Sequence, residues 1–180
     1  MKLKLLAAAV LTMASTAVHA ATLDFSVFSL GSQGTNVLVL PEATITGSGS
    51  DLFIGAAGID HELCAINLGS CEADLDVDFT GLVSNLSFVT SGYDSGDSVT
   101  ASIFDAANAL IASIIVTSNT LVDFTAYSGI SRLFLDDNST GAGYGYDGFR
   151  FDVAQVPLPA TLPLLLAGLG AFGIARRRKA

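Results

Sequence analysis

Ala73-Asp74-Leu75-Asp76-Val77-Asp78-Phe79 alternates without a break: acids at 74, 76 and 78, apolar residues at 75, 77 and 79. Side chains of a strand point to opposite faces in turn, so this pattern specifies a strand with one buried and one wet face. Asp74, Asp76 and Asp78 would hold a cation only if another loop covered their face; otherwise they form a solvated sheet face. Outward from this stretch the chain keeps the same character. Leu23, Phe25 and Val27 alternate within a predicted strand at 22–28. Further strands are predicted at 36–40, which Pro41 ends, and at 43–47 and 51–55, flanking the turn Gly47-Ser48-Gly49-Ser50. More follow at 85–90, 98–104, 109–116, 121–125 and 130–136, with Asp105 to Asn108 as a hairpin turn. The last strand is 147–153, with Phe149, Phe151 and Val153 inward and Arg150 and Asp152 outward. About ten short strands and no long amphipathic helix predict an all-β sandwich.

The ends of the chain differ from its middle. Lys2 and Lys4 precede an apolar run at 5–17, and Val18-His19-Ala20 places small residues at −3 and −1 of a cleavage site. This predicts a secretory signal peptide over 1–20, cut after Ala20. At the other end Val156, Pro157, Leu158, Pro159 and Ala160 lead into an uncharged run at 161–175, followed by Arg176, Arg177, Arg178 and Lys179. Fifteen helical residues rise about 22 Å, short of the roughly 30 Å hydrocarbon core; adding 156–160 gives enough length to span. The prolines keep 156–160 extended, as a protease or transpeptidase requires. The four cations would stop transfer and remain cytoplasmic. Read physically, the tail is either a permanent transmembrane anchor or a processed one.

The tail's motif, apolar span and basic cluster resemble the PEP-CTERM class of bacterial sorting signals, in the variant whose motif reads VPLPA. Leu158 stands where the parent Pro-Glu-Pro pattern has Glu. The resemblance implies that the chain is a substrate of exosortase, a membrane cysteine transpeptidase. It further implies that the tail is removed and the protein delivered to the cell surface or extracellular matrix.

The domains expected are therefore a signal peptide (1–20), a β-sandwich (21–155) and a sorting signal with transmembrane helix and basic tail (156–180). Without its ends the middle retains only Arg132 and Arg150 against all seventeen Asp and Glu, a net charge of −15. Such a surface repels nucleic acid and anionic lipid, which excludes both as partners of the exported part. It suits soluble display, divalent cations or a polysaccharide matrix.

Segments within 71–152 resemble jelly-roll domains of exported bacterial sorting-signal proteins. They are Cys71 to Phe79, Asn85-Leu86-Ser87-Phe88, Gly92-Tyr93-Asp94-Ser95-Gly96-Asp97 and Tyr146-Asp147-Gly148-Phe149-Arg150-Phe151. The resemblance implies a jelly-roll-like sandwich related to carbohydrate-binding folds, and fold analogy licenses no activity by itself.

Cys64 and Cys71 are the two cysteines of an exported chain, which predicts a disulfide closing residues 65–70. A metal site from His61, Cys64 and Cys71 is the sharper alternative and lacks a fourth ligand. The Gly-rich loop 136–147 is bracketed by carboxylates. Calcium takes six to eight oxygens, so Asp136, Asp137 and Asp147 are the candidate calcium ligands. Tyr144 and Tyr146 in the same loop either stack on a sugar ring or pack the loop. No catalytic set stands out: one His remains in the exported part and no Gly-x-Ser-x-Gly occurs. The expectation is a non-enzymatic surface or matrix protein, with a calcium-assisted carbohydrate-binding module as the alternative.

Overall fold

Leu75, Val77 and Phe79 do point inward, at 0%, 0% and 8% exposure, while Asp74, Asp76 and Asp78 face outward. They open a strand far longer than the alternating stretch. The computed structural model describes residues 18–55, 61–139 and 142–154. Among them twelve strands form one antiparallel sheet: β1 (Val18–Thr22), β2 (Gly31–Ser32), β3 (Val37–Val39), β4 (Ala43–Gly47), β5 (Asp51–Gly55), β6 (Glu62–Asn67), β7 (Ser70–Ala73), β8 (Leu75–Ser91), β9 (Val99–Phe104), β10 (Leu110–Val116), β11 (Leu121–Asp137) and β12 (Gly145–Ala154). The sheet runs β10-β9-β11-β8-β12-β6-β5-β2, with β4 on β8, β3 on β4, β1 on β12 and β7 on β6.

The two 17-residue strands, β8 and β11, organise this path. Sequence divided each of them in two. Thr80 to Ser84 and Ala126 to Gly129 carry turn residues, yet the chain bends there without leaving the sheet. On one edge β8 pairs β4 through residues 75–79 and β12 through 83–91. On its other edge it follows β11, whose register shifts between Phe124 and Arg132. Asn85 at φ +55° and Gly129 at φ +74° take the left-handed conformations these irregularities need. Strands that bend at bulges let one sheet turn a corner and cover its own core. Accordingly, Leu52 and Ile54 of β5 and Ile103 of β9, from distant parts of the path, enter one cluster with Phe25, Phe88 and Phe149. The sheet stays open: β10 and β2 end the path.

Two expectations need correction. Of the strand expected at 22–28 only Thr22, the last residue of β1, is in a strand. After β1 comes a 3-10 turn, Phe25–Val27, because the Asp24 carboxylate accepts the Ser26 N–H at 2.9 Å and pulls the backbone into a turn. Leu23 and Phe25 are buried, whereas Val27 is 72% exposed. Residues 62–73 hold a hairpin the sequence did not announce. Leu68 (φ +51°) and Gly69 (φ +98°) make its two-residue turn, a mirror-image geometry usually signalled by Asn-Gly. The membrane helix expected at 161–175 and residues 1–17 of the signal peptide lie outside the described residues.

Candidate functional site

β12 carries the domain to its sorting tail. Phe149 and Phe151 anchor its inward face; Phe149 stacks on Phe88 with centroids 5.0 Å apart, and Phe151 meets Phe79 edge-on at 4.9 Å. Gly148, at φ +62°, takes up the extra residue where the register passes from Asp147↔Val89 to Arg150↔Ser87. On its other edge β12 pairs β1, from Thr22↔Arg150 to Val18↔Ala154. The two ends of the domain therefore leave side by side. Ala20 and Ala21, which flank the expected signal-peptide cut, face Asp152 and Phe151 in this ladder. The motif Val156, Pro157, Leu158, Pro159, Ala160 and the cluster Arg176, Arg177, Arg178, Lys179 lie outside the described residues. The motif begins two residues after Ala154.

The loop carboxylates are distributed rather than gathered. Asp136 faces Thr100 of β9, and Asp147 faces Val89 of β8. Asp137 is a loop staple: its carboxylate accepts the N–H groups of Ser139 at 2.9 Å and Tyr144 at 3.3 Å. Its own N–H donates to Asp74 at 3.1 Å. Burial pushes the Asp137 carboxyl above its ordinary range, against the opposing pull of these hydrogen bonds. Among the described residues no group of three or more His, Cys, Asp or Glu is placed to hold a metal ion.

Cys64 and Cys71 form the expected disulfide across the β6–β7 hairpin, with Cα atoms 5.4 Å apart. Both sulfurs are thereby removed from any metal site with His61. Tyr144 and Tyr146 are core residues, 0% and 1% exposed, so neither ring is offered to a sugar. They stack on each other at 6.5 Å, Tyr93 lies 6.2 Å from Tyr144, and the Tyr144 hydroxyl donates to the Val116 carbonyl at 3.4 Å. Burial raises both phenols, Tyr144 to about 12 and Tyr146 well above the ordinary value.

The acidic face of β8 is not bare. Arg132 of β11 grips Asp76 with Nε at 2.6 Å and a second guanidinium nitrogen at 2.7 Å. A cavity of about 180 Å³ opens beside this pair, lined by Thr46, Gly47, Ser48, Asp74, Asp76 and Phe134. Both of its carboxylates are engaged, Asp76 by Arg132 and Asp74 by the Asp137 N–H. Sequence reading also missed Glu62, a 5% exposed carboxylate that accepts the Ser91 hydroxyl. Nothing local marks it, since its burial comes from the approach of β12 and β8 to β6.

No curated protein matches the chain. Residues 155–179, directly behind β12, match the PEP-CTERM protein-sorting motif, so the chain carries the signal of an exosortase-sorted protein exported to the cell envelope or surface.

Proposed function

We propose that the chain is a non-enzymatic surface or extracellular-matrix protein. A jelly-roll-like β-sandwich is its cargo, and its tail is cut within residues 156–160 by exosortase. The match of residues 155–179 to the sorting motif carries this reading. The position of that motif in the chain supports it: Val156 follows the last residue of a paired strand, Ala154, by two residues, so the motif begins where the domain ends. Before the cut, residues 161–175 hold the protein in the membrane and the Arg cluster stays cytoplasmic. After it, a domain of charge −15 is released to a polysaccharide matrix, its acidity keeping it soluble and away from anionic lipid.

The test is the mass of the protein recovered from its host, with and without the exosortase. The expected product ends within residues 156–160 only when the enzyme is present. A product that keeps Arg176 to Lys179 in both strains overturns the reading and makes the tail a permanent anchor.

A further inference from the structure

β10 is an end of the sheet path, and β9 is its single ladder partner among the described strands. Its outer edge is thus a row of backbone groups that no described strand takes up. Sheet edges in soluble proteins are usually blunted by Lys, Pro or an inward-pointing charge. β10 has none of these. Leu110-Ile111-Ala112-Ser113-Ile114-Ile115-Val116 is uncharged, lacks Pro and Gly, and is rich in β-branched residues. A bulge between Leu110 and Ala112 disturbs its start and leaves 112–116 in regular register with β9.

Charge sets this edge apart from the rest of the domain. Residues 106–122 contain no Asp, Glu, Lys or Arg. The flanking Asp105 is turned into the β9–β10 turn, where its carboxylate accepts the N–H groups of Ala107 and Ala109 at 2.9 and 2.8 Å. The core is also incompletely covered here. Ile111, Ala112 and Ile114 are only partly buried against it, and Ile115 on the outer face is 71% exposed.

We propose that β10 pairs antiparallel with β10 of a second copy of this chain, about a two-fold axis at Ile114. In that register Ala112 faces Val116, and Ser113 faces Ile115, of the other copy. A strand edge is satisfied by another strand, and antiparallel self-pairing is closed, so it stops at a dimer. A second copy brings the same uncharged strip, so no like charges meet at the contact although each domain carries −15. A polyanionic chain or an acidic peptide would offer no such match. Pairing joins two sheets into one and covers Ile111, Ala112 and Ile114. It is independent of whether the tail is cut. The remaining carboxylates repel, so association tightens as salt screens them.

Sedimentation of the full-length protein in detergent, at low and raised salt, tests this. The expected result is a dimer that strengthens with salt, and a monomer for Ile115→Lys that unfolds at the midpoint of wild type diluted to monomer. Dimerisation through the membrane segment would survive Ile115→Lys, so a dimer in that variant overturns the proposal, as does a monomeric wild type. The register has its own test, free of any folding defect. Ser113→Cys and Ile115→Cys chains, mixed and oxidised, are expected to cross-link to each other faster than either does alone. Equal or faster linking within Ile115→Cys alone overturns the axis at Ile114.

Discussion

Arg132 lies across the outer face of the sheet with its guanidinium in a two-point grip on Asp76, at 2.6 and 2.7 Å. The third side of the fork donates to Asn108 at 3.0 Å, and the group sits 5.0 and 5.4 Å from the ring centroids of Phe104 and Phe134. One of the two cations in residues 21–155 thus ties β11 to β8 and to the β9–β10 turn. The hydrogen bonds to Asp76 raise the guanidinium pKa further. The pair is about a quarter exposed on each side, so its Coulomb share is modest and the aromatic contacts add to it. Arg132→Ala is expected to cost about 1–2 kcal/mol in urea unfolding, and Arg132→Lys nearly as much, because Lys cannot form the fork. A lysine variant as stable as wild type would refute the two-point geometry.

Asp137 and Asp51 should titrate on opposite sides of the ordinary carboxylate value. Burial raises Asp137 above 3.8. Asp51 lies below 3.8, chiefly because it accepts the Ser32 hydroxyl, with the Thr35 N–H adding to this at 3.0 Å. For Asp137 the unfolded chain loses its proton first as pH rises past 3.8, so stability falls until the folded pKa is passed. For Asp51 the contribution is present above 3.8 and is lost as pH falls through the lower folded value. NMR titration of both carboxyls checks the order, and the reverse order would sink it. Asp137→Asn should gain on wild type between about pH 3 and about pH 7.

Gly143 and Gly96 both adopt positive φ, at +64° and +107°, but their surroundings differ. A Cβ on Gly143 would sit 1.6 Å from the Cys71 carbonyl oxygen and 2.9 Å from the Asp137 carboxylate. One on Gly96 would meet nothing within 4 Å. Gly96→Ala should therefore cost only backbone strain, about 1–2 kcal/mol. Gly143→Ala must displace backbone and should prevent or severely weaken folding. Equal melting temperatures for the two variants would contradict the close packing of the β11–β12 loop on Cys71.

The disulfide closes a loop already shaped by its hairpin. The chain-entropy relation gives roughly 2.5 kcal/mol for so short a ring. Asn67↔Ser70 pairing and the Leu68-Gly69 turn already restrict that loop. Reduction should thus cost less than the relation gives, about 1–2 kcal/mol in denaturant unfolding. A loss above about 3 kcal/mol would show that the hairpin does not persist in the unfolded chain.

Cleavage after Ala20 would divide β1, removing the partners of Asp152, Val153 and Ala154 and leaving those of Phe151 and Arg150. Hydrogen exchange over residues 152–154 should be faster in the mature protein than in the uncut precursor. Equal protection in both would mean that β12 needs no cover from β1.

Sequence alone determined what depends on local order. The alternation at 73–79 and 147–153 set strand faces, because side chains alternate along any extended backbone. The two cysteines set the disulfide, since no other pairing exists. The tail motif set the sorting signal, because a linear motif is carried by residue order rather than by fold. Tertiary structure decided everything that depends on contacts between distant segments. Only the pairing of β8 with β4, β11 and β12 shows that four predicted strands are two bent ones. Only the approach of Asp74 and Tyr144 makes Asp137 a loop staple, and only the core around Phe88 and Phe149 takes Tyr144 and Tyr146 out of reach of a ligand. Burial and partner choice are properties of the assembled sheet, and one strand's residue pattern does not contain them.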